Sequence, residues 1–292
     1  MPELPEVEVT ARLMTEALRG EVIESALSPS MNALKTFDPP LAALEGATIE
    51  EVRRRGKLLL VDVFAAEERG RLTLLLHLMS AGRLQLFGKR ATLRDKTSRL
   101  LLRLPGDREL RMREFGTRQA AWVKLLTPEG LEADETLGTL GTLGPEAWPD
   151  LPAPARLGEL LAQPRPLHSL LRDQRVIAGI GRTWVDEILH AARLSPFKRG
   201  DDLGKRELAA LREAIHGEMD RAIEHYDATW KLPLPDKQQK AAHVHGHQGE
   251  PCPRCETVME AVFYEDYVMT YCPYCQTEGR ILKDRRLSRL LK

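Results

Sequence analysis

Four cysteines in the last fifth of this 292-residue chain constrain its fold more than any other feature. They form two Cys-X-X-Cys pairs, Cys252 with Cys255 and Cys272 with Cys275, and residues 256–271 lie between the pairs. Four thiolates at this spacing favour a tetrahedral Zn²⁺ site, and two disulfides are the alternative. Because the chain has no signal sequence and no other cysteine, a reducing compartment is expected, which favours zinc.

The segment between the two pairs, TVMEAVFYEDYVMTY, is typical of two short strands joined by a turn. We therefore predict a zinc-clamped β-hairpin that is too small to fold without its metal. Since no stretch of the sequence is apolar enough to span a membrane, we expect a cytoplasmic protein.

The first half of the chain is mostly strand-like. Six apolar runs separated by Gly, Pro and charged turns end near residue 126: KLLLVDVF, LTLLLHL, GRLQLF, SRLLLRL, RELRMREF and QAAWVKLL. Such runs predict an antiparallel sandwich or barrel. Residues 127–156 are rich in Gly, Pro, Thr and acids and are typical of a connector, and helical patterns follow it.

Charge is unevenly distributed although the chain holds 43 basic and 43 acidic residues. Residues 51–118 carry 17 Lys/Arg against 8 Asp/Glu, whereas residues 119–164 carry 2 against 7. This asymmetry suggests a polyanion-binding face followed by a solvated connector. The alternative is that the strands simply carry their basic residues on a solvent-exposed face that binds no polyanion.

The N-terminal stretch MPELPEVEV predicts a helix, because Pro5 suits a first turn and Val7, Ala11, Met14 and Leu18 recur at helical spacing. The helix leaves the preceding Pro-Glu pair unexplained. If Met1 is removed, Pro2 becomes a secondary amine with a reference pKa near 7.7 to 8.0. Such an amine can attack an aldehyde-like carbon.

A second candidate feature is AGIGR at 178–182, where two glycines precede a helix. The turn could present backbone amides to a phosphate, or it could be an ordinary turn between helices.

Together these motifs resemble the formamidopyrimidine-DNA glycosylase and endonuclease VIII family. The likeness lies in PELPEVE, RRGK at 54–57, HLMSAG at 77–82, REFG at 113–116, DQRVIAGIG with DEIL at 173–189, and VHGHQGEPC before the cysteines. It implies an α+β multidomain fold. Its parts would be an N-terminal catalytic β-sandwich flanked by helices (1–126), the connector (127–156), a helix-two-turns-helix DNA-binding bundle (157–245), the zinc-finger hairpin (246–278) and a basic extension (279–292).

The resemblance also implies roles for single residues. Pro2 would be the nucleophile at C1′ of a damaged nucleotide, Glu3 would transfer protons, and Lys57 would hold a flanking phosphate. Glu6 would brace the N-terminus, and Arg113 and Phe115 would fill the hole left by the flipped base. Further DNA-binding positions carried over are His77, Ser80, His168, Gly181, Arg182 and Tyr267. The implied partner is double-stranded DNA with damaged bases or abasic sites, bound by a monomer that carries structural Zn²⁺.

The sequence departs from the family pattern at several of these positions. Arg182 stands where the family has asparagine, Tyr267 where it has arginine, Ser80 where it has methionine, and His168 where it has lysine. The segment YDATWKLPLPDKQQKAAH also lacks the glycines of the loop that closes over an oxidised purine. Two interpretations follow: a glycosylase with altered lesion preference, or a module that binds damaged DNA without catalysis.

Two further alternatives concern cationic side chains. Arg182 could take over the phosphate contact while Tyr267 donates one hydrogen bond or packs on a sugar, or Arg182 could merely pair with Asp186 in its own helix. The C-terminal residues 279–292 could form a DNA-backbone arm or a solvated helical extension.

Overall fold

The computed structural model describes residues 1–30, 32–65, 70–92, 95–116, 119–134, 142–264 and 267–282. It divides into two compact units. The N-terminal unit comprises Met1–Thr142 with Ile223–Gln239, and the C-terminal unit comprises Leu143–Ala222 with Lys240–Lys292. Across the described ranges, none of the helices has the length and apolarity needed to cross a membrane.

Helix α1 spans Leu4–Leu18 and confirms the predicted N-terminal helix. All four residues of its predicted apolar stripe are buried, namely Val7, Ala11, Met14 and Leu18. This stripe faces the core because α1 packs along strand β2, Thr48–Arg55.

Two four-stranded antiparallel sheets follow α1 in the N-terminal unit. One sheet has the order β2-β3-β4-β8 and the other β1-β6-β7-β5. The remaining bounds are β1 Ser25–Leu27, β3 Leu58–Phe64, β4 Arg71–His77, β5 Gly82–Phe87, β6 Ser98–Arg103, β7 Glu109–Glu114 and β8 Trp122–Leu126. A short helix α2, Pro128–Glu132, follows β8.

The six predicted apolar runs are confirmed as β3 to β8. Strand β2 was not among them because its sequence, TIEEVRRR, carries charges at most of its positions. Only Ile49 and Val52 of β2 are buried, whereas Leu58, Leu59, Leu60 and Val61 of β3 are all buried. The sequence of a partly solvent-exposed edge strand therefore contains fewer apolar residues than that of its central neighbour, which makes the edge strand harder to predict.

The C-terminal unit contains α3 Pro154–Leu161, α4 Leu167–Arg172, α5 Arg182–Ala191 and most of α6, Lys205–Thr229. The last residues of α6, from Ile223, belong to the N-terminal unit. The apolar core of the C-terminal unit includes Leu167, Leu171, Trp184, Ile188 and Leu211. The helical patterns predicted after the connector are confirmed.

The predicted hairpin between the cysteine pairs is also confirmed, with β9 Glu260–Phe263 paired antiparallel to β10 Val268–Tyr271. Helix α7, Pro273–Thr277, begins directly after Cys272 and holds the last cysteine. Of the C-terminal extension predicted at 279–292, positions 283–292 lie outside the described residues, as do 135–141 of the connector.

Candidate functional site

The start of α1 buries two carboxylates next to Pro2. Glu3 is the N-cap residue and is 2 % exposed, and Glu6 is 1 % exposed. The two form a capping box, in which the Glu3 side chain accepts from the Glu6 amide and Glu6 Oε2 accepts from the Glu3 amide at 2.8 Å. Glu6 Oε1 accepts a hydrogen bond from the Tyr226 hydroxyl at 2.9 Å. Glu6 therefore holds the backbone amide of Glu3, and Tyr226 holds Glu6.

Pro2 itself is buried, whereas Met1 is 43 % exposed. The helix begins two residues after Pro2, so the chain enters the core immediately behind this position. Removal of Met1 would accordingly leave an amine at a fixed location, adjacent in sequence to a buried carboxyl group.

Lys57 lies in the two-residue turn between β2 and β3, after Gly56, whose positive φ of 57° favours glycine. The lysine is only 8 % exposed. The neighbouring residue Leu58 pairs across the sheet with His77 at the end of β4. Burial, and then the positive charge of Lys57, lower the pKa of His77 to about 4. His77 is thus neutral at pH 7, and its Nδ1 accepts from the Met79 amide at 2.9 Å.

The turn after His77 carries Ser80, which is exposed. The turn closes tightly at Gly82, where any Cβ would lie 2.3 Å from the Leu78 carbonyl oxygen. Met79 adopts a left-handed conformation with φ of 48° in the same turn. Glycine at position 82 therefore fixes the direction in which this turn leaves β4 and enters β5.

Arg113 lies in the last part of β7, and Phe115 directly follows the last residue of this strand. The guanidinium of Arg113 lies 4.6 Å from the centre of the Phe115 ring, and Phe115 is 37 % exposed. Arg113 donates to Thr97 Oγ1 at 3.0 Å and to Asp236 Oδ1 at 3.0 Å. Gln85 Nε2 donates to the same oxygen of Asp236 at 3.0 Å.

Asp236 and Arg83 also belong to this part of the N-terminal unit, and no sequence motif predicted them. Burial lowers the pKa of Arg83, and the opposing influences are the negative charges of Glu6 and Asp236. Asp236 lies more than 100 residues along the chain from its partner Arg113, so no local pattern signals the pairing.

In the C-terminal unit, the side chain of Gln174 braces the AGIGR turn. Its Oε1 accepts from the Gly179 amide at 2.9 Å, and its Nε2 donates to the Ile180 carbonyl at 2.8 Å. Gly179 has φ of 107°, which requires glycine. Gly181 is the N-cap of α5. Since the Gly179 amide is occupied, the turn offers fewer amides to a phosphate than the two glycines suggest.

Five side chains next to this turn form a stack of rings and guanidinium groups, here called the Tyr267 cluster: His168, Arg172, Arg182, Tyr264 and Tyr267. Tyr264 stacks on Tyr267 with ring centres 4.3 Å apart, and His168 stacks on it at 5.7 Å. The guanidinium carbons of Arg172 and Arg182 lie 4.2 Å and 5.0 Å from the Tyr267 ring centre. No sequence motif predicted Arg172 or Tyr264 as members of this cluster.

Asp186 is a buried carboxylate that contacts His168 of the Tyr267 cluster. It is 1 % exposed, and its Oδ2 accepts from the Thr270 amide at 3.0 Å and contacts His245 Nδ1 at 2.7 Å. Its Oδ1 lies 3.4 Å from His168 Nε2. Among the described residues Asp186 is therefore engaged by two histidines and an amide rather than by Arg182.

The four cysteines converge as predicted. Their sulfur atoms all lie within 4.8 Å of one another, and none of them forms a disulfide. Cys255 Sγ lies 3.5 Å from the sulfurs of both Cys272 and Cys275. Four sulfurs bound tetrahedrally at about 2.3 Å from Zn²⁺ would be about 3.8 Å apart, whereas disulfide sulfurs would be about 2.0 Å apart. The arrangement fits a metal better than two disulfides.

His190 contacts the cluster of cysteines from α5, with Nε2 3.2 Å from Cys252 Sγ. Burial, and then the charges of Arg254 and Arg193, lower the pKa of His190 to about 4. A neutral imidazole at this position can donate one N–H to a thiolate, the kind of outer contact that orients a metal ligand.

The N-terminal unit is rich in β-strands and begins with a buried Pro-Glu pair, and the C-terminal unit is helical and carries a four-cysteine hairpin. This combination defines a class of DNA repair enzymes. Two family models match: the formamidopyrimidine-DNA glycosylase N-terminal domain over residues 1–119, and the helix-two-turns-helix (H2TH) domain of the same enzymes over residues 143–232. The chain belongs to the formamidopyrimidine-DNA glycosylase family, so the resemblance and the predicted fold class are confirmed.

Individual relatives agree along nearly the whole chain. A formamidopyrimidine-DNA glycosylase of Pediococcus pentosaceus is 32 % identical over 286 residues, which cover 94 % of this chain and 99 % of that protein. The crystal structure of the MutM (Fpg) protein of Thermus thermophilus matches 96 % of this chain and 100 % of that one, with 30 % identity and a TM-score of 0.78. The Lactococcus lactis Fpg in complex with N7-benzyl-Fapy-dG DNA matches 94 % and 100 %, with 26 % identity and a TM-score of 0.80.

Proposed function

We propose that this chain is a bifunctional DNA glycosylase and AP lyase that uses the amine of Pro2 as its nucleophile. The observation that carries the proposal is the N-terminus of α1, where the Pro2 position is buried beside the N-cap carboxyl group of Glu3. The DNA substrate is inferred from the relatives, since the Lactococcus lactis protein has been solved with damaged DNA and also with abasic-site DNA.

The proposed reaction begins with a chain from which Met1 has been removed. The Pro2 nitrogen forms a bond to C1′, the glycosidic bond breaks, the base leaves with the bonding electrons, and the proton of the Pro2 N–H group passes to the departing base. Glu3 then protonates O4′ as the C1′–O4′ bond breaks, which gives an iminium ion between Pro2 and the opened sugar.

Strand cleavage follows by elimination. The Glu3 carboxylate takes a proton from C2′, the C3′–O bond breaks, and the 3′ phosphate leaves with the electron pair. Water then hydrolyses the iminium ion and frees Pro2. With a substrate that is already abasic, the Pro2 nitrogen adds to the aldehyde carbon C1′ and the carbonyl oxygen leaves as water, which gives the same iminium ion.

The other proposed roles concern binding. Lys57, next to the neutral His77, would hold a phosphate beside the reacting sugar, and Arg113 with Phe115 would occupy the space of the flipped nucleotide. Glu6 would brace the N-terminus through its hydrogen bonds to Glu3 and Tyr226. His168, Gly181, Arg182 and Tyr267 would contact the DNA backbone from the C-terminal unit, and Ser80 would do so from its exposed turn.

We also propose that Cys252, Cys255, Cys272 and Cys275 hold one structural Zn²⁺. A bound Zn²⁺ would require all four thiols as thiolates and would fix the hairpin β9–β10 and helix α7 to each other. No catalytic role is assigned to it.

Borohydride trapping tests the proposed chemistry. An abasic-site duplex is incubated with the protein in the presence of borohydride, which reduces an iminium ion to a stable covalent adduct. We expect a protein-DNA adduct with the wild type and a loss of at least ~100-fold with Pro2→Gly. If Pro2→Gly is trapped as efficiently as the wild type, Pro2 is not the required nucleophile. If bound duplex is never trapped, the chain is a binding module instead.

A further inference from the structure

Arg113 is held by residues from three separate segments of the N-terminal unit. Its Nε donates to Thr97 Oγ1 at 3.0 Å, and its Nη1 donates to Asp236 Oδ1 at 3.0 Å and to Gln85 Oε1 at 3.3 Å. A guanidinium group is planar, so acceptors on two of its nitrogens fix the directions of all its N–H groups. These three contacts do not use Nη2, which carries two of the five donors of an arginine.

Gln85 fixes the position of Asp236 relative to strand β5. The Gln85 side chain is buried, and its Nε2 donates to Asp236 Oδ1 at 3.0 Å and to the carbonyl oxygen of Leu234. Leu234 is 1 % exposed, so the chain is anchored two residues before the carboxylate. Because the Gln85 amide donates to two acceptors and accepts from Arg113, it has one favourable orientation. Asp236 therefore has a defined place although its side chain is 53 % exposed.

A carboxylate suits this place because strands β5 and β7 bring two arginines together. Arg83 and Arg113 are directly opposite each other in the antiparallel pair, so their side chains lie on the same face of the sheet. The charge of Asp236 acts on both. It accepts from Arg113 and, together with Glu6, opposes the lowering of the Arg83 pKa by burial. Asp236 thus reduces the repulsion that would move the Arg113 guanidinium away from Arg83.

We propose that Asp236 is a positioning residue, which holds the Arg113 guanidinium in the orientation that contacts the base opposite the flipped nucleotide. The inference rests on the proposed function, in which Arg113 enters the space left by that nucleotide. When a nucleotide leaves the stack, the opposite base loses its pairing partner, and its acceptor atoms need new hydrogen bonds.

The choice between opposite bases depends on a fixed guanidinium. Arginine has only donors, so it favours a base with adjacent acceptors, such as N3 and O2 of cytosine. Adenine is less suitable because an amino donor lies beside its N1 acceptor. A mobile arginine could turn toward an acceptor on either base, whereas an arginine held by Asp236, Gln85 and Thr97 reaches only well-placed acceptors. Asp236 should therefore affect the choice of opposite base more than the overall affinity.

The test measures binding of duplexes that contain a tetrahydrofuran abasic analogue opposite each of the four bases. This analogue cannot form an iminium ion, so binding is measured apart from the chemistry at Pro2. Dissociation constants are compared for the wild type, Asp236→Ala and Asp236→Asn. Asp227→Ala is the matched control, because Asp227 is also a partly exposed carboxylate of the N-terminal unit that pairs with an arginine, Arg12.

We expect the wild type to bind the duplex with cytosine opposite the analogue about 5- to 100-fold more tightly than the duplex with adenine. Asp236→Ala should reduce this ratio at least about threefold while its unfolding temperature stays close to that of the wild type. Asp236→Asn should keep most of the ratio, because its amide oxygen can still accept from Arg113 and Gln85. Asp227→Ala should keep the full ratio.

The inference is overturned if the wild type binds the four duplexes equally, or if Asp236→Ala keeps the wild-type ratio. It is also overturned if Asp236→Ala changes the affinity for all four duplexes by the same factor, since Asp236 would then act only through its charge or through the stability of the fold. Failure of the proposed function gives a different result, namely wild-type protein that distinguishes the opposite bases in binding but is never trapped on an abasic site with borohydride.

Discussion

The N-terminus of α1 and the Tyr267 cluster position polar side chains in two different ways. At α1 the carboxyl groups are almost fully buried and are held by backbone amides within one helix turn. In the Tyr267 cluster the cations are half-buried and are held by the face of a ring on a short hairpin. Bond formation at a fixed carbon requires the first kind of support, whereas a contact with a mobile phosphate tolerates the second.

Glu3→Gln should have the largest effect, because it removes the proposed proton transfer. It also separates this role from the capping of α1. The glutamine carbonyl can still accept from the Glu6 amide, so we expect α1 and its unfolding temperature to persist. The amide cannot transfer a proton at neutral pH, so trapping and strand cleavage should slow by about 10²- to 10⁴-fold. The measurement is single-turnover cleavage of an abasic duplex.

Glu8→Gln provides the control, since Glu8 lies in the same helix but pairs with Arg12 and Arg54. Cleavage by this variant should stay within about threefold of the wild type. Equal losses in the two variants would mean that charge on α1 matters and that proton transfer by Glu3 does not.

Loss of the metal should affect the Tyr267 cluster and spare α1. We expect Cys255→Ser to lose bound zinc and at least about 10-fold in DNA affinity, because the hairpin that carries Tyr267 needs the metal to fold. Elemental analysis and DNA titration check this, and a chelator added to the wild type should have the same effect. Normal DNA affinity in zinc-free protein would contradict the proposed dependence of the cluster on the hairpin.

Tyr226→Phe should weaken the support of the N-terminus. It removes the hydroxyl that donates to Glu6 Oε1, so we expect a loss of about 1 to 3 kcal/mol in the free energy of unfolding of the N-terminal unit. Denaturant unfolding checks this value. Tyr274→Phe is the control, because Tyr274 is 68 % exposed, and it should change the free energy by less than about 0.5 kcal/mol. If the two substitutions lowered the free energy of unfolding equally, the hydrogen bond from Tyr226 to Glu6 would not stabilise the N-terminus.

The smallest expected effect concerns pH. The pKa of His77 is about 4 in the folded protein against 6.5 when unfolded, so the unfolded chain binds more protons below pH 6.5. Stability of the N-terminal unit should therefore fall as pH is lowered from 7 to 5, with His77 contributing about 1 to 2 kcal/mol of the loss. Thermal unfolding of His77→Gln at both pH values should show a correspondingly smaller loss. An identical loss in the variant would assign the pH dependence to other groups.

Local sequence patterns predicted most of the fold and part of the candidate site. The apolar stripe of α1, six strands, the main helices and the cysteine spacing all depend on residues close together in the chain, where period and composition are informative. Strand β2 was not predicted because charged residues occupy much of its length. The pairing of Arg113 with Asp236 and the contact of Arg172 with Tyr267 join residues about 100 positions apart. Such contacts depend on the tertiary fold, and no motif identified Asp236 or Arg172.

The identity of the amino-terminal residue and the site of the covalent adduct test the central claim most directly. Protein trapped on an abasic duplex with borohydride is digested with protease and nuclease, and its N-terminal peptide is analysed by mass spectrometry. We expect the purified chain to begin at Pro2 and the sugar remnant to be attached to the Pro2 nitrogen. A chain that retains Met1, or an adduct located on a lysine such as Lys57, would contradict the proposal that Pro2 is the nucleophile.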